Sequence, residues 1–346
     1  MKLSTLTTLA ALLAGVALSG SAFAQAGAPS KGSGEVEANR DAPVSLPDAK
    51  PLPTPQVDPE KASRALDGAA GADSYGTVTL SRDGSVTETE ASDSLRAIVE
   101  SSTPPAPGEK AGQLTVGADD RLQITDSSTY PFTAIGWLFG QNQSDGWATC
   151  SAALIGPKTV ITAAHCVYDH WNGGWMKQLM FVPGATDAET APFGVFDWDS
   201  VHILQGYISN YDGETYDSVM PWDLAVINLI EPAGDTLGWL GFQIDNHGNW
   251  NAGILGYPAD KPEGTMWFAK CAITDKNYGG LLPVETGNNF WHACDTYSGS
   301  SGSSIWELDD QDLPYVNGVN VAEDQERNYA TEINEANFNW LSQYYQ

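Results

Sequence analysis

Thr159-Val160-Ile161-Thr162-Ala163, running directly into Ala164-His165-Cys166, is the stretch on which the reading of this chain turns. Its first five residues form a short β-branched and apolar run behind Gly156-Pro157, which suits a buried strand better than a helix. Similar runs recur at 132–139, 152–155, 224–230 and 253–256, separated by Gly, Asn, Asp and Pro turns. Many short strands without long helices between them predict an all-β barrel or sandwich. The folded unit from Leu114 onward is about 230 residues, enough for one large core or two small ones. Its end breaks the pattern. Ile333, Ala336, Trp340, Leu341 and Tyr344 recur at helical spacing and predict a terminal helix packed on a barrel.

Upstream of this unit the composition is different. Residues 1–24 carry one Lys, an apolar run from Leu6 to Leu18 and a small-residue end at Ala22-Phe23-Ala24, which is the grammar of a secretory signal peptide. That run is shorter than the ~20 apolar residues of a membrane span, and no other segment could serve as one. Residues 25–113 are rich in Ala, Gly, Ser and Pro, with Pro43, Pro47, Pro51, Pro53 and Pro55 close together. Such a composition predicts a largely disordered propeptide, because it buries too little apolar surface to offset ordering entropy. A short helix is expected at 94–100, where Leu95, Ile98 and Val99 fall on one face.

The formal net charge is -28, and from Leu114 onward 7 Lys and Arg face 30 Asp and Glu, a net -23. Nucleic acid is not expected as a partner, since binding it relies on cationic side chains that displace counterions. A secreted, monomeric protein kept soluble by self-repulsion accounts for the charge. Four cysteines in an oxidising compartment read as two disulfides. There is no C-x-x-C pair and no zinc-like spacing, so no metal or other cofactor is expected at the cysteines. Calcium at Asp309, Asp310 and Asp312, or at Asp212, Glu214 and Asp217, stays open because hard cations take carboxylate oxygens.

Three short motifs carry chemistry. His165 precedes Cys166, and a bridge back to Cys150, sixteen positions earlier, would fix the loop that holds the imidazole. A general base needs that rigidity to stay within hydrogen-bond reach of its nucleophile. Gly299-Ser300-Ser301-Gly302-Ser303 is a glycine-rich turn in which the amides of Gly299 and Ser301 could converge on an oxyanion, with Ser301 as nucleophile. Taken alone, that run would also suit a flexible linker. Asp223 opens the apolar strand Leu224-Ala225-Val226-Ile227, a half-buried place fit for the carboxylate that orients an imidazole. Asp212 and Asp217 are nearby but do not lead directly into an apolar run.

From Leu114 onward the chain resembles the glutamyl endopeptidase branch of the chymotrypsin-like serine proteases. The likeness rests on Asp119-Asp120-Arg121 with Tyr130-Pro131-Phe132, on Cys150 through His165-Cys166, on Trp222-Asp223-Leu224-Ala225-Val226, on Gly256-Tyr257-Pro258, and on Asp295-Thr296 before Gly299-Ser300-Ser301-Gly302-Ser303. The order His, Asp, Ser is that of the chymotrypsin group and excludes the α/β-hydrolases, which run Ser, acid, His. The resemblance implies two antiparallel six-stranded β-barrels, at about 114–232 and 233–346, meeting near 231–237. It also implies a mature start near 114–116 and a cleft holding a His165, Asp223 and Ser301 triad that acts on protein or peptide substrates. Cys271 and Cys294 would form the second bridge, subject to geometry.

The chain departs from the family in three places, one of them the Cys271 and Cys294 pair. Thr296, five positions before Ser301, matches one of the two residues credited with binding a substrate Glu, but the family histidine is replaced by Asn320 in Gly318-Val319-Asn320. Asn offers a neutral donor and no positive charge, so weaker Glu preference is expected, with Gln or another uncharged polar residue competing. His170, His202, His247 and His292 match no pocket motif. Ser300 stands where trypsin-like zymogens carry the Asp that pairs with the new amino terminus, so activation should follow another route. An endopeptidase is the expectation. A catalytically silent binding protein on the same fold and an esterase or amidase are the alternatives.

Overall fold

Short apolar runs joined by tight turns become hairpins here. The structure, a computed structural model, describes residues 27–33, 44–58, 71–101, 119–245, 248–278 and 288–346. The signal segment 1–24, the mature start at 114–116 and His247 lie outside the described residues. Strands β1 (Ala49–Pro51), β2 (Thr77–Ser81), β3 (Val86–Thr89) and β4 (Leu122–Ile124) come first. They are followed by β5 (Ile135–Gln141), β6 (Trp147–Leu154), β7 (Thr159–Thr162), β8 (Tyr168–Asp169), β9 (Gly174–Trp175), β10 (Gln178–Pro183), β11 (Phe196–Leu204) and β12 (Ala225–Leu229).

Six of these close into a barrel in the order β10-β5-β6-β7-β12-β11, with β10 returning to β11 through Met180↔Asp197 and Phe181↔Phe196. Closure leaves no unpaired edge among the six. Turn chemistry sets the registers. In the β5–β6 hairpin, Asn142 Oδ1 accepts the amides of Ser144 and Gly146 at 2.9 and 3.0 Å, while Asp145 takes φ 67°. Every residue of β12 is buried, which accounts for the apolar Ala225-Val226-Ile227, while the polar Asn228 places its Nδ2 3.2 Å from His202 Nε2.

The chain then passes through a short helix, Gly234–Leu237, into β13 (Gly241–Phe242), β14 (Trp250–Gly256), β15 (Met266–Ile273), β16 (Asn289–His292), β17 (Ser304–Leu308), β18 (Pro314–Glu323) and β19 (Asn328–Glu332). With β4 these make a second, mainly antiparallel sheet ordered β16-β19-β18-β17-β14-β15-β4, on which β13 pairs in parallel with β18. The fold is all-β with a C-terminal helix, as the resemblance implies. That helix, Glu335–Gln343, is capped by Asn334, whose side chain accepts the Asn337 amide at 2.9 Å. Trp340 and Leu341 on its inner face are fully buried.

Residues 25–113 are only partly described, and the described parts are not a low-contact tail. β2 pairs with β11 from Thr77↔Leu204 to Ser81↔Ser200 and so extends the barrel sheet. The helix Asp93–Ser101, close to the expected 94–100, buries Leu95. Thr77 Oγ1 accepts Trp340 Nε1 at 2.9 Å and Tyr344 Oη at 2.6 Å. The helix was legible from its spacing, but composition averaged over the whole segment hid the short β-branched strand β2. No helix among the described residues is long and apolar enough to cross a membrane.

Candidate active site

His165 sits in a single 3-10 turn, Ala164–Cys166, at the end of β7. Cys166 is bridged to Cys150 in β6 with a Cα–Cα distance of 6.1 Å, which pins that turn to the neighbouring strand. Asp223 follows the turn Met220–Trp222 immediately before β12, and Trp222 is fully buried. Gly206 makes room for that indole, since a Cβ there would stand 2.6 Å from its ring. β12 pairs with β7 from Ala225↔Thr162 onward, so the two turns leave the barrel side by side.

The Asp223 carboxylate is fully buried rather than half buried, and its oxygens are satisfied. Oδ1 accepts the His165 amide at 2.9 Å, and Oδ2 accepts His165 Nδ1–H at 2.6 Å and the Tyr216 hydroxyl. A buried carboxylate accepting from Nδ1 holds the proton there and leaves Nε2 as the free base. Tyr216 was not legible in the sequence, because it lies in a loop seven residues before Asp223 with no spacing rule linking them. Burial, reinforced by the Asp223 charge, pushes its phenol far up, so it stays a donor. Thr331 Oγ1 adds a bond to the Asp223 carbonyl at 3.0 Å.

The Ser301 turn packs against β6 and β7, the strands on either side of the Cys150–Cys166 bridge. The Ser301 carbonyl accepts the Ser151 amide of β6 at 2.8 Å, and the Gly302 amide donates to the Asn320 carbonyl at 2.8 Å. Gly302, at φ 83°, is pressed so closely on β6 and β7 that a Cβ would stand 2.2 Å from Ser151 O, 2.2 Å from Thr162 Oγ1 and 3.2 Å from Ala163 N. Only glycine tolerates that approach. Ser301 Oγ and His165 Nε2 are both buried, and neither has a hydrogen-bond partner among the described residues. Catalytic hydrogen bonds are often long without substrate and tighten in the complex. Gly299, at φ 92°, turns the chain two residues before Ser301.

The expected substrate contacts are arranged differently from one another. Thr296 Oγ1 is buried without a partner among the described residues. Asn320 is itself buried, with Nδ2 donating to the Ser300 carbonyl at 3.1 Å and Oδ1 accepting from His292 Nε2 at 3.0 Å. The carbonyl acceptor fixes the amide orientation, and that in turn requires the proton on Nε2 of His292. His292, which no sequence motif marked, is fully buried, and burial lowers its pKa to about 4 despite the Asn320 bond. Cys271 and Cys294 form the second disulfide, with Cα atoms 4.8 Å apart, and Asn328 Nδ2 donates to the Cys294 carbonyl at 2.9 Å.

Both groups of His and Cys atoms close enough to share a metal, Cys150-His165-Cys166 and Cys271-His292-Cys294, contain disulfide-bonded sulfurs, which offer no thiolate. Neither acidic run brings three carboxylates into such a group among the described residues. Asp212 and Asp309 instead cap turns, accepting the amides of Glu214 and Thr215 and of Gln311 and Leu313.

Residues 128–339 match the family model described as Trypsin. Among curated proteins, the chain is 31% identical over 205 residues to a glutamyl endopeptidase of Bacillus licheniformis, covering 59% of this chain and 58% of that one. It is 26% identical to a Bacillus subtilis protein named extracellular metalloprotease, covering 55% and 56%. The chain thus spans little more than half the length of these relatives. A solved glutamyl endopeptidase in complex with MPD superposes with a TM-score of 0.54 at 23% identity, covering 67% of this chain and 99% of that one.

Proposed function

This chain belongs to the trypsin family, and we propose that it is a secreted serine endopeptidase that cuts peptide bonds through an acyl-enzyme. The observation that carries this reading is the buried Asp223–His165 bond of 2.6 Å, with the Ser301 turn packed against the strand that leads to His165. Ser301 Oγ attacks the scissile carbonyl as His165 Nε2 takes its proton. The carbonyl oxygen becomes an oxyanion held by the amides of Gly299 and Ser301. Asp223 stabilises the imidazolium without taking the proton, and His165 then protonates the leaving amine. Water, activated by the same imidazole, releases the acyl group. The signal segment 1–24 directs export, and cleavage near 114–116 separates the propeptide from the mature enzyme.

Thr296 gives the specificity pocket a neutral polar group, and Asn320, whose amide is held by Ser300 and His292, brings it no cation, so the bond cut follows Glu or an uncharged polar residue such as Gln. The test is active-site labelling with a fluorophosphonate, together with cleavage-site profiling of a complex peptide mixture. Label on Ser301 and internal cuts are expected. An unlabelled folded protein would favour the silent binding scaffold, and turnover of esters without cuts in peptides would favour the esterase reading.

A further inference from the structure

Residues 44–58, inside the segment expected to be removed, run across the candidate cleft. β1 pairs in parallel with β6, from Ala49↔Trp147 to Pro51↔Thr149, one residue short of Cys150. The Leu52 amide donates to the Thr149 carbonyl at 2.9 Å, and the Thr54 amide to Ser298 Oγ at 3.3 Å. Pro51 lies over the nucleophile turn, its Cβ 3.5 Å from where a Cβ on Gly299 would be. Beyond it the chain reaches the end of β18. There the Glu323 amide donates to the Pro55 carbonyl at 3.0 Å and the Val57 amide to the Glu323 carbonyl at 2.9 Å. Gln56 Nε2 adds a bond to Glu323 Oε1 at 2.7 Å, and the Asp58 amide donates to Asp217 Oδ1 at 2.8 Å. Leu52, Val57, His165, Tyr168 and Tyr216 line one cavity of about 510 Å³ beneath this crossing.

The sequence of the crossing is matched to its task. Leu52 and Thr54 use their amides on the domain, while Pro51, Pro53 and Pro55 stand at the alternate positions. Neighbouring residues of an extended chain point their amides to opposite sides, so proline fills the positions where an amide would face away and could recruit another strand. The polarity matters as well. His165 must protonate the leaving amine, so the carboxyl-side half of a substrate belongs on the His165 flank, where Cys166 meets Cys150 beside Thr149. The crossing places its amino-side half there instead.

We infer that residues 49–58 are an inhibitory strap of this chain, bound through the cleft by strand addition and in the direction opposite to a substrate. The inference rests on the peptidase reading above. The strap occupies the backbone groups of Thr149 and Glu323 that an extended peptide would use, and its reversed course presents no bond to Ser301 in the productive sense. A cut near 114–116 therefore does not by itself open the cleft; the strap has to leave too.

The test uses the full chain. Initial rates on a quenched-fluorescent peptide of about eight residues are compared for the wild-type precursor and for Leu52→Pro/Val57→Pro, per mole of chain seen intact on a gel. Losing two backbone donors should raise the rate about tenfold or more. Equal rates in two chains that both take a fluorophosphonate on Ser301 would overturn the strap and leave the peptidase reading standing. If neither chain cuts the peptide, and Ser301 stays unlabelled even after limited proteolysis removes the residues before Asp119, the peptidase reading fails and the inhibitory role fails with it. Hydrogen exchange on the Ser301→Ala precursor gives a readout that does not depend on the proline variants folding. Slow exchange at the Leu52 and Val57 amides is expected, and exchange as fast as an open chain would overturn the docking.

Discussion

Asn320 Nδ2 donates to the carbonyl of Ser300 at 3.1 Å, one residue before the candidate nucleophile, while its Oδ1 is held by His292 Nε2. The side chain thus braces the turn from which the Gly299 and Ser301 amides project. We predict that Asn320→Ala lowers kcat about tenfold with little change in KM, because the loss is one of positioning. Asn320→Asp, which keeps the size but removes the donor, should not restore the rate. Equal kcat in Asn320→Ala and wild type, by steady-state peptide hydrolysis, would show that the brace is idle.

Ser301→Ala and His165→Ala are each expected to lose most turnover, leaving the ~10³ to 10⁴-fold over water that binding and the oxyanion hole supply in such enzymes. The double variant should be no worse than either single one, since the two groups act as a unit. Tyr216→Phe removes one of the donors to Asp223 Oδ2 and should cost about tenfold in kcat. Additive losses in the Ser301 and His165 pair would count against a shared mechanism.

Matched peptides differing only as Glu or Gln before the scissile bond should be cut at rates within a hundredfold of each other. Burying an incompletely paired carboxylate costs several kcal/mol, and a charge-assisted hydrogen bond returns only about 1.5–3. A Glu preference of a hundredfold or more would mean that a cation reaches the pocket. Two sources stand out: Arg121, which lines the same small cavity as Asp295 and Thr296, and a new amino terminus near 114–116. Asp120, a few residues further on, already docks its amide on Asp295 beside Thr296 at 3.2 Å.

His292 and His202 are both pushed down to about 4 by burial. Above about pH 6.5 neither is protonated, folded or unfolded, and they leave stability flat. Between about 6.5 and about 4 the unfolded chain binds protons that the folded chain refuses, so stability falls as pH drops, by roughly 1–3 kcal/mol for each, and levels off below about 4. Urea midpoints of the Ser301→Ala chain at about pH 7 and about pH 4.5 measure the fall. Adding His292→Gln, which keeps a donor for Asn320, should shrink it; an unchanged fall would show that His292 does not titrate this way.

Much of the architecture was local information. Alternating turns and β-branched runs are enough to specify strands, because each strand's period and stops lie within a few residues of one another. The terminal helix was readable for the same reason, with Ala336, Trp340 and Leu341 on one face. His165, Asp223 and Ser301 each stood in a distinctive short motif, and the proximity of Cys166 to His165 hinted at a fixed loop. Apart from the two bridges and the triad that motifs and resemblance implied, what sequence could not supply was which side chains meet once the chain has folded. Tyr216 on Asp223, His292 on Asn320, Thr77 under Trp340 and the crossing of residues 49–58 over Gly299 involve partners that share no spacing rule. Hydrogen bonds between such groups exist only after the barrel closes and brings their strands together. The composition of residues 25–113 averages over its short strands, and only the folded chain shows which of its prolines lie against the cleft.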